Sequence, residues 1–347
     1  MATLNLNYEP GVLVETENMD EATWKMWRKK GIGGSDVAAV FNLSPFKTKR
    51  DLYYDKTDMS YAISSDEDNW VAKEVGHRLE DLVAKIFAKR TGYRVWQEKK
   101  MYFHPFYPFM LADIDYMFEN HEGEIGVLEC KTGHYLAKEK WADNSVPIYY
   151  DYQIRQYQSV RNVNLGYVAA LLGNNESDYI DRKITRDLDI EETIINGVST
   201  FWNDFVLTKV PPPYVEKSDL ALESIRKHYG EANVYLPSLL LNTNDEKVIK
   251  KYMELREKKL ELDRASRELK ERMAYLSVPF IDQLGQHCKG RCDIGGTKYE
   301  ISYNPKYTMG IKKDKLELFK NEHPDLYDRY VTTTESRTFA VTELKVS

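Results

Sequence analysis

Residues 73–92, KEVGHRLEDLVAKIFAKRTG, set Leu79, Leu82, Val83, Ile86 and Phe87 at helical spacing and close on Gly92, where a C-cap glycine belongs. Three strand-like segments follow with no helix between them: 93–104, 109–119 and 124–133, parted by the turn residues HPFYP and NHEG. A helix that must cover consecutive strands confines the chain to layered α/β architectures. Downstream, 147–162 reads as a helix and 165–174 as a buried strand, and a strand in 178–190 leads into a helix over 191–206. The order α-β-β-β-α-β, with outer helices, predicts an α/β sandwich around a mixed sheet. Upstream, the first 22 residues read as a loose leader. A helix from Ala22 ends at Arg28–Lys30, and GIGGSD opens a second one over 36–43, with Ser35 or Asp36 as its cap. Residues 47–57 suggest a third.

The prolines at 211–213 are a stiff break. Residues 1–212 are therefore expected to form the core and 213–347 a C-terminal extension. That extension opens with a long helix over about 244–277. Its 4-and-3 positions from Val248 to Leu276 are apolar or aromatic at seven of nine sites, with Lys259 and Ser266 as the flaws. A small α+β segment follows, in which strands at 291–303 and 338–344 flank a helical stretch at 314–330. The helix could pack on its own domain, associate with a copy or contact a partner.

Composition excludes some classes. The 347 residues carry a formal net charge of -6, against the basic footprint usual for nucleic-acid binders. The charge is uneven. Residues 1–214 hold 25 basic and 33 acidic residues, net -8, and 215–347 hold 24 and 22, net +2. No apolar run reaches membrane-spanning length and no secretory signal is expected. Three cysteines cannot build a disulfide framework, so a cytoplasmic setting is expected.

The sharpest chemical feature is Asp115, then thirteen residues, then Glu129-Cys130-Lys131. On a strand Glu129 and Lys131 share a face, and Cys130 points into the packing. If the Asp115 strand pairs with theirs, the three side chains converge. Two carboxylates make a hard-oxygen site for Mg²⁺ or Mn²⁺, and a lysine beside them suits phosphodiester hydrolysis. Glu80, off the apolar face of helix 73–92, adds a third carboxylate. His77, one turn earlier, is a weaker candidate. The bland alternative is a solvated face of alternating charge.

Five segments in order, GIGGSDVAAVFNLSPF behind an arginine, GHRLEDLVAKIF, ADID, ECK and YDYQIRQYQSV, carry a resemblance over residues 20–210. The chain resembles the YqaJ-type viral recombinase family, which includes lambda exonuclease, within the PD-(D/E)XK nuclease superfamily. That resemblance implies a restriction-endonuclease-like core that cuts double-stranded DNA with Mg²⁺. Asp115, Glu129, the Cys130 backbone carbonyl and Glu80 would hold metal, Lys131 would activate water, and Gln153 would face the site. Arg28 and Ser35 match residues that grip a terminal 5′-phosphate in the exonuclease branch, and Arg155 stands where a second glutamine is usual. Asp113 and Tyr116 also depart from the family pattern. An iron–sulfur cluster is not expected, because four cysteine ligands cannot be found. His287, Cys288 and Cys292 make a poor zinc set. The implied activity is a phage- or prophage-type 5′→3′ exonuclease that feeds a single-strand annealing protein, with a trimer implied by the lambda branch. The rivals are an endonuclease on the same core and a non-cleaving binding module.

Overall fold

A computed structural model describes residues 4–58, 70–240, 246–307, 311 and 313–331. The chain divides into two units, Met1–Ala232 and Asn233–Ser347. The division falls after Ala232 rather than at the prolines.

The first unit runs β1 (Gly11–Glu15), α1 (Glu21–Arg28), α2 (Gly34–Val40), α3 (Lys49–Lys56), α4 (Trp70–Thr91), β2 (Arg94–Trp96), β3 (Lys100–His104), β4 (Tyr107–Asp113), β5 (Tyr116–Glu119), β6 (Ile125–Thr132), α5 (Ile148–Arg161), β7 (Leu165–Leu171), β8 (Tyr179–Thr185), α6 (Leu188–Phe201) and α7 (Ser218–Tyr229). Five strands form a sheet in the order β2-β5-β6-β7-β8, in which only the β6–β7 pair is parallel. A second, antiparallel sheet has the order β1-β3-β4. The supposed leader thus contributes a strand: β1 pairs with β3 from Gly11↔Phe103 to Glu15↔Lys100.

Two segments that read as single strands are each broken, and each break sends the chain from one sheet to the other. Residues 93–104 split into β2 and β3 around Lys99, whose φ is +50°. Residues 109–119 split into β4 and β5 at the two-residue link Ile114–Asp115.

The five-stranded sheet is covered on both faces. On one face, Val83, Ala84 and Phe87 of α4 pack with Phe118, Leu128, Cys130 and Ala169. On the other, Ile154, Tyr157 and Val160 of α5 pack with Val127, Val168, Ala170 and the α2 residues Val37 and Val40. The alternation along β6 follows the strand period: Val127 faces α5 and Leu128 faces α4. Leu82, expected in the α4 stripe, is instead exposed. Gly92 closes α4 with φ +72° and its amide on the Ala88 carbonyl at 2.9 Å. Helix α7 belongs to this unit, since the buried Ser224 donates to Asp51 of α3 at 2.6 Å.

The second unit holds α8 (Glu246–Leu284), the hairpin β9 (Lys289–Ile294) and β10 (Thr297–Ser302), and the short helices α9 (Lys313–Glu322) and α10 (Pro324–Tyr330). Gly295 and Gly296 form the two-residue hairpin turn with φ of +59° and +86°, a conformation open to glycine. Helix α8 continues through Pro279 to Leu284, seven residues past its expected end. The expected strand at 338–344 lies outside the described residues. Among the described residues, no helix is long and apolar enough to cross a membrane.

Candidate functional site

Two clusters of buried charge lie in the first unit, and α5 reaches both through Gln153 and Tyr157. The first lies at β6. Strand alternation sends Glu129 and Lys131 to the α5 face, with Cys130 in the α4 layer between them. Glu129 is 2% exposed. Its Oε1 accepts from Lys131 Nζ and, at 2.6 Å, from Gln153 Nε2 of α5. Its Oε2 is buried with no hydrogen-bond donor. Asp115, in the link between the sheets, accepts the Cys130 backbone N–H at 2.8 Å. A carboxylate thereby takes the place of the next ladder bond on β6. Asp115 is not paired on a strand, as the sequence suggested, but it is brought beside Glu129 all the same.

Burial pushes the Asp115 carboxyl well above the usual carboxylate range, and Glu129 and Glu80 add to the push. Glu80 is raised as well, first by burial and then by Glu129. Burial disfavours the Lys131 ammonium, but Glu129 and Asp115 outweigh it and hold it protonated above the ordinary lysine value. The site thus holds three carboxylates to one ammonium, and one buried oxygen is unmet. That excess of hard oxygen charge fits a divalent cation. Asp115 and Glu129 are the carboxylates that meet here, with the Cys130 carbonyl beside them on β6 and Glu80 acting on both through its charge; among the described residues no three metal-ligating side chains are drawn together closely enough to hold an ion as they stand. Glu80, Asp115, Asp113, His77, Trp24 and Trp70 line a cleft of about 830 Å³.

The second cluster is built on α1–α3. Gly33, not Ser35 or Asp36, is the N-cap of α2, and Asp36 reaches back to the Gly33 N–H at 3.1 Å. Asp36 is 2% exposed. Its carboxylate binds Lys47 at 2.5 Å, Arg28 at 2.9 Å and Lys56 at 3.0 Å. Burial alone would raise the Asp36 carboxyl; Lys47, Lys56 and Arg28 outweigh it and hold the group well below the usual range. Asp55, at 3.5 Å from Lys56, is half-exposed at the rim. Three cations on one buried carboxylate leave positive charge in excess. Arg28 Nη2 also donates to Ser35 Oγ at 3.0 Å, so the expected pair does meet. A Cβ on Gly33 would come within 2.4 Å of Arg28 Nη1, so a side chain there would push the guanidinium off this backbone.

A contiguous path links the clusters. Gln153 Nε2 donates to both Glu129 Oε1 and, at 3.0 Å, Tyr157 Oη. The Tyr157 ring lies against Gly34, where a Cβ would approach it to 2.4 Å. Asp113 sits at the end of β4, where Trp24 Nε1 donates to it at 2.5 Å. Its carboxyl is raised by burial and drawn back by Trp24 and Arg28.

The site residues read from the sequence fall into these groups. Lys131, Glu129, Asp115 and Gln153 come together, with Glu80 on the wall of the cleft that Asp115 also lines, and Arg28 and Ser35 meet as well. Arg155 joins neither set: it pairs with Asp151 at 2.7 Å and reaches the Thr185 carbonyl of β8 at 3.5 Å. Two positions along a helix is about 200° of turn, so Arg155 and Gln153 point apart. Cys288 is exposed, Cys292 is partly buried, and neither belongs to a cluster of three metal-ligating side chains among the described residues. Lys56 and the buried role of Asp36 were missed. A lysine in the last turn of a short helix carries no mark of burial, and an aspartate behind two glycines reads as a cap.

Comparison with known proteins settles the family. The profile of the YqaJ-like viral recombinase domain matches residues 23–164. Protein YqaJ of Bacillus subtilis (strain 168) is 31% identical over 339 residues, which span 96% of this chain and 98% of that one. The chain belongs to the YqaJ family. Both charge clusters fall almost wholly inside the domain match of this YqaJ-family chain. The relationship to YqaJ itself also takes in the second unit. Among solved structures, an alkaline exonuclease (LHK-Exo) from Laribacter hongkongensis is 16% identical, with a TM-score of 0.44 over 58% of this chain and 97% of that one. A phage-related exonuclease from Haemophilus somnus 129PT is 11% identical, with a TM-score of 0.35 over 52% and 96%.

Proposed function

We propose that the chain is a divalent-metal-dependent deoxyribonuclease that degrades linear duplex DNA from 5′ ends, leaving single strands for recombination. The observation that carries this reading is the pairing of opposite charge excesses: a carboxylate cluster at β6 and a cationic pocket at α2, linked through Gln153 and Tyr157. A scissile phosphodiester needs the first and a terminal phosphate fits the second.

Asp115, Glu129 and Glu80, with the Cys130 carbonyl, would hold Mg²⁺ or Mn²⁺. Such an ion supplies Lewis acidity, polarising the phosphodiester and neutralising the departing oxygen. The chain's own groups do the rest. Gln153 fixes Glu129 through Oε1 and leaves Oε2 free to ligate. Lys131 carries its proton in this state, so it orients the attacking water and stabilises charge on the phosphoryl oxygens; taking up a proton would first require it to lose one. Arg28 and Ser35 make an anion grip that holds the 5′ end and so sets the register of cutting.

The test is digestion of linear duplex DNA, with and without 5′-phosphate, beside closed circles, in Mg²⁺ and in EDTA. Loss of linear DNA alone, faster with the phosphate and abolished by EDTA and by Lys131→Ala, is the expected result. Cutting of circles would point to an endonuclease. Binding without turnover in Mg²⁺ or Mn²⁺ would point to a non-cleaving module.

A further inference from the structure

A line of aromatic rings runs from the core of the first unit to its surface, beside both charge clusters. Trp141 is buried, Tyr150 and Tyr149 are half-buried, and Phe46 is 67% exposed. Consecutive ring centroids stand 5.9, 4.4 and 5.6 Å apart. Tyr149 meets Tyr150 and Phe46 edge to face, at interplanar angles of 68° and 78°. A lone exposed phenylalanine is ordinary, but this one is held in place. Ser44 Oγ accepts the backbone amides of both Phe46 and Lys47, at 3.2 and 3.3 Å. From that turn Lys47 reaches Asp36 in the cationic pocket, while the Phe46 ring reaches Tyr149.

The other end of the line is fixed as well. Tyr149, Gln153 and Tyr157 stand four residues apart and so share a face of α5. Gln153 donates to Glu129 of the carboxylate cluster, and Tyr157 lies against Gly34 of α2. Tyr150 has the Lys131 ammonium over its ring, 5.2 Å from the centroid. The rings are thus tied to the cationic pocket through Lys47 and to the carboxylate cluster through Lys131 and Gln153.

Charge says what can lie along them. A terminal phosphate fits the first cluster and a phosphodiester the second. Successive phosphates of one strand are joined by a nucleoside, and its flat, weakly hydrated part is the base. Aromatic side chains are the usual surface for an unpaired base. We propose that Phe46 and Tyr149 form a stacking platform for the unpaired base of the 5′-terminal nucleotide. Tyr150 backs the platform, supporting Tyr149 and steadying the Lys131 ammonium. The platform senses that a base is present rather than which base it is, because every base has a π-face. This proposal takes its ligand from the nuclease reading and places a part of the substrate that the phosphate contacts leave free.

The experiment uses the full chain and a linear duplex that ends in one unpaired, 5′-phosphorylated nucleotide, either with its base or abasic. Binding is followed in EDTA by fluorescence anisotropy, and turnover in Mg²⁺ and in Mn²⁺. Wild type should bind the duplex with the base at least about fivefold more tightly than the abasic one. Phe46→Ala with Tyr149→Ala should erase that difference by weakening the first duplex alone. The abasic duplex has nothing to stack and should bind this variant as it binds wild type, which a misfolded variant would not do. Phe46→Trp should keep the preference. Equal binding of the two duplexes by wild type, or of neither, overturns the platform, as does a preference that survives the double substitution. The two readings fail separately. Turnover with binding indifferent to the base sinks the platform and leaves the nuclease; base-dependent binding without turnover in either metal sinks the nuclease reading and leaves the platform.

Discussion

The two charge clusters of the first unit use similar parts with opposite balance. At α2 one buried carboxylate, Asp36, gathers Arg28, Lys47 and Lys56. At β6 one ammonium, Lys131, is shared among Glu129, Asp115 and Glu80. Burial works against every charge in both. It is overcome at Asp36, whose carboxyl is held down, and it prevails at Asp115, whose carboxyl is pushed up. An ion-paired core that only stabilised the fold would be expected to approach neutrality, because uncompensated buried charge is costly. Neither cluster balances: cations outnumber the buried acid around Asp36, and acids outnumber the ammonium around Lys131.

The sharpest way to break this comparison is Glu129→Gln. The amide keeps the acceptor for Gln153 but loses the charge that meets Lys131 and would meet metal. On the proposed reading, turnover of linear duplex DNA should fall by roughly a thousandfold or more. Binding of the same DNA in EDTA should stay near wild type. Retained metal-dependent turnover would remove the β6 cluster from the chemistry.

Asp36→Asn attacks the other side. It strands three cations around a neutral amide, and loss of one partner in a buried ion pair costs roughly 3–5 kcal/mol. Chemical denaturation at pH 7 should show a loss of this size. The Asp36 carboxyl is lower in the folded chain than in the unfolded one, so its contribution is present above the ordinary carboxylate range. It is lost as pH falls through and below that range. An unchanged denaturation midpoint would mean that Arg28, Lys47 and Lys56 do not depend on it.

The smallest effect has the opposite sign. The Asp115 carboxyl is higher in the folded chain, so in EDTA its ionisation costs stability as pH rises past the ordinary carboxylate range. Asp115→Asn should therefore stabilise the fold at pH 7 in EDTA by on the order of 1 kcal/mol, read as a higher melting temperature. The variant should also lose the stabilisation that Mg²⁺ or Mn²⁺ gives the wild type. Melting temperatures with and without metal check both; a destabilised variant in EDTA would show that the bond from the Cys130 amide matters more than the like charge.

Much of this was legible in the sequence because it is local. Period-two alternation puts Glu129 and Lys131 on one face, and helical spacing puts Val83 and Phe87 into the core. What escaped is non-local. Apolar residues run on through LADIDYMFE, so nothing in the local period marks the passage between sheets at Ile114–Asp115. That break depends on the Cys130 amide, fifteen residues away. Lys56 and Lys47 are buried or half-buried only because Asp36 collects them from a neighbouring helix and the loop before it. Ser35 reads as a cap because serine favours that role, but Gly33 takes it, and the hydroxyl is left to Arg28.

The link Ile114–Asp115 has a bearing on what drift this family can absorb. Connections between strands ordinarily tolerate an added residue for a few tenths of a kcal/mol. Here both sheets could still form around a longer link. The carboxylate would then be displaced from Glu129 while the packed layers stayed whole. This connection therefore works as a ruler: its length sets where the Asp115 oxygens stand, and on the proposed reading a one-residue insertion would leave a well-folded protein that no longer responds to Mg²⁺ or Mn²⁺.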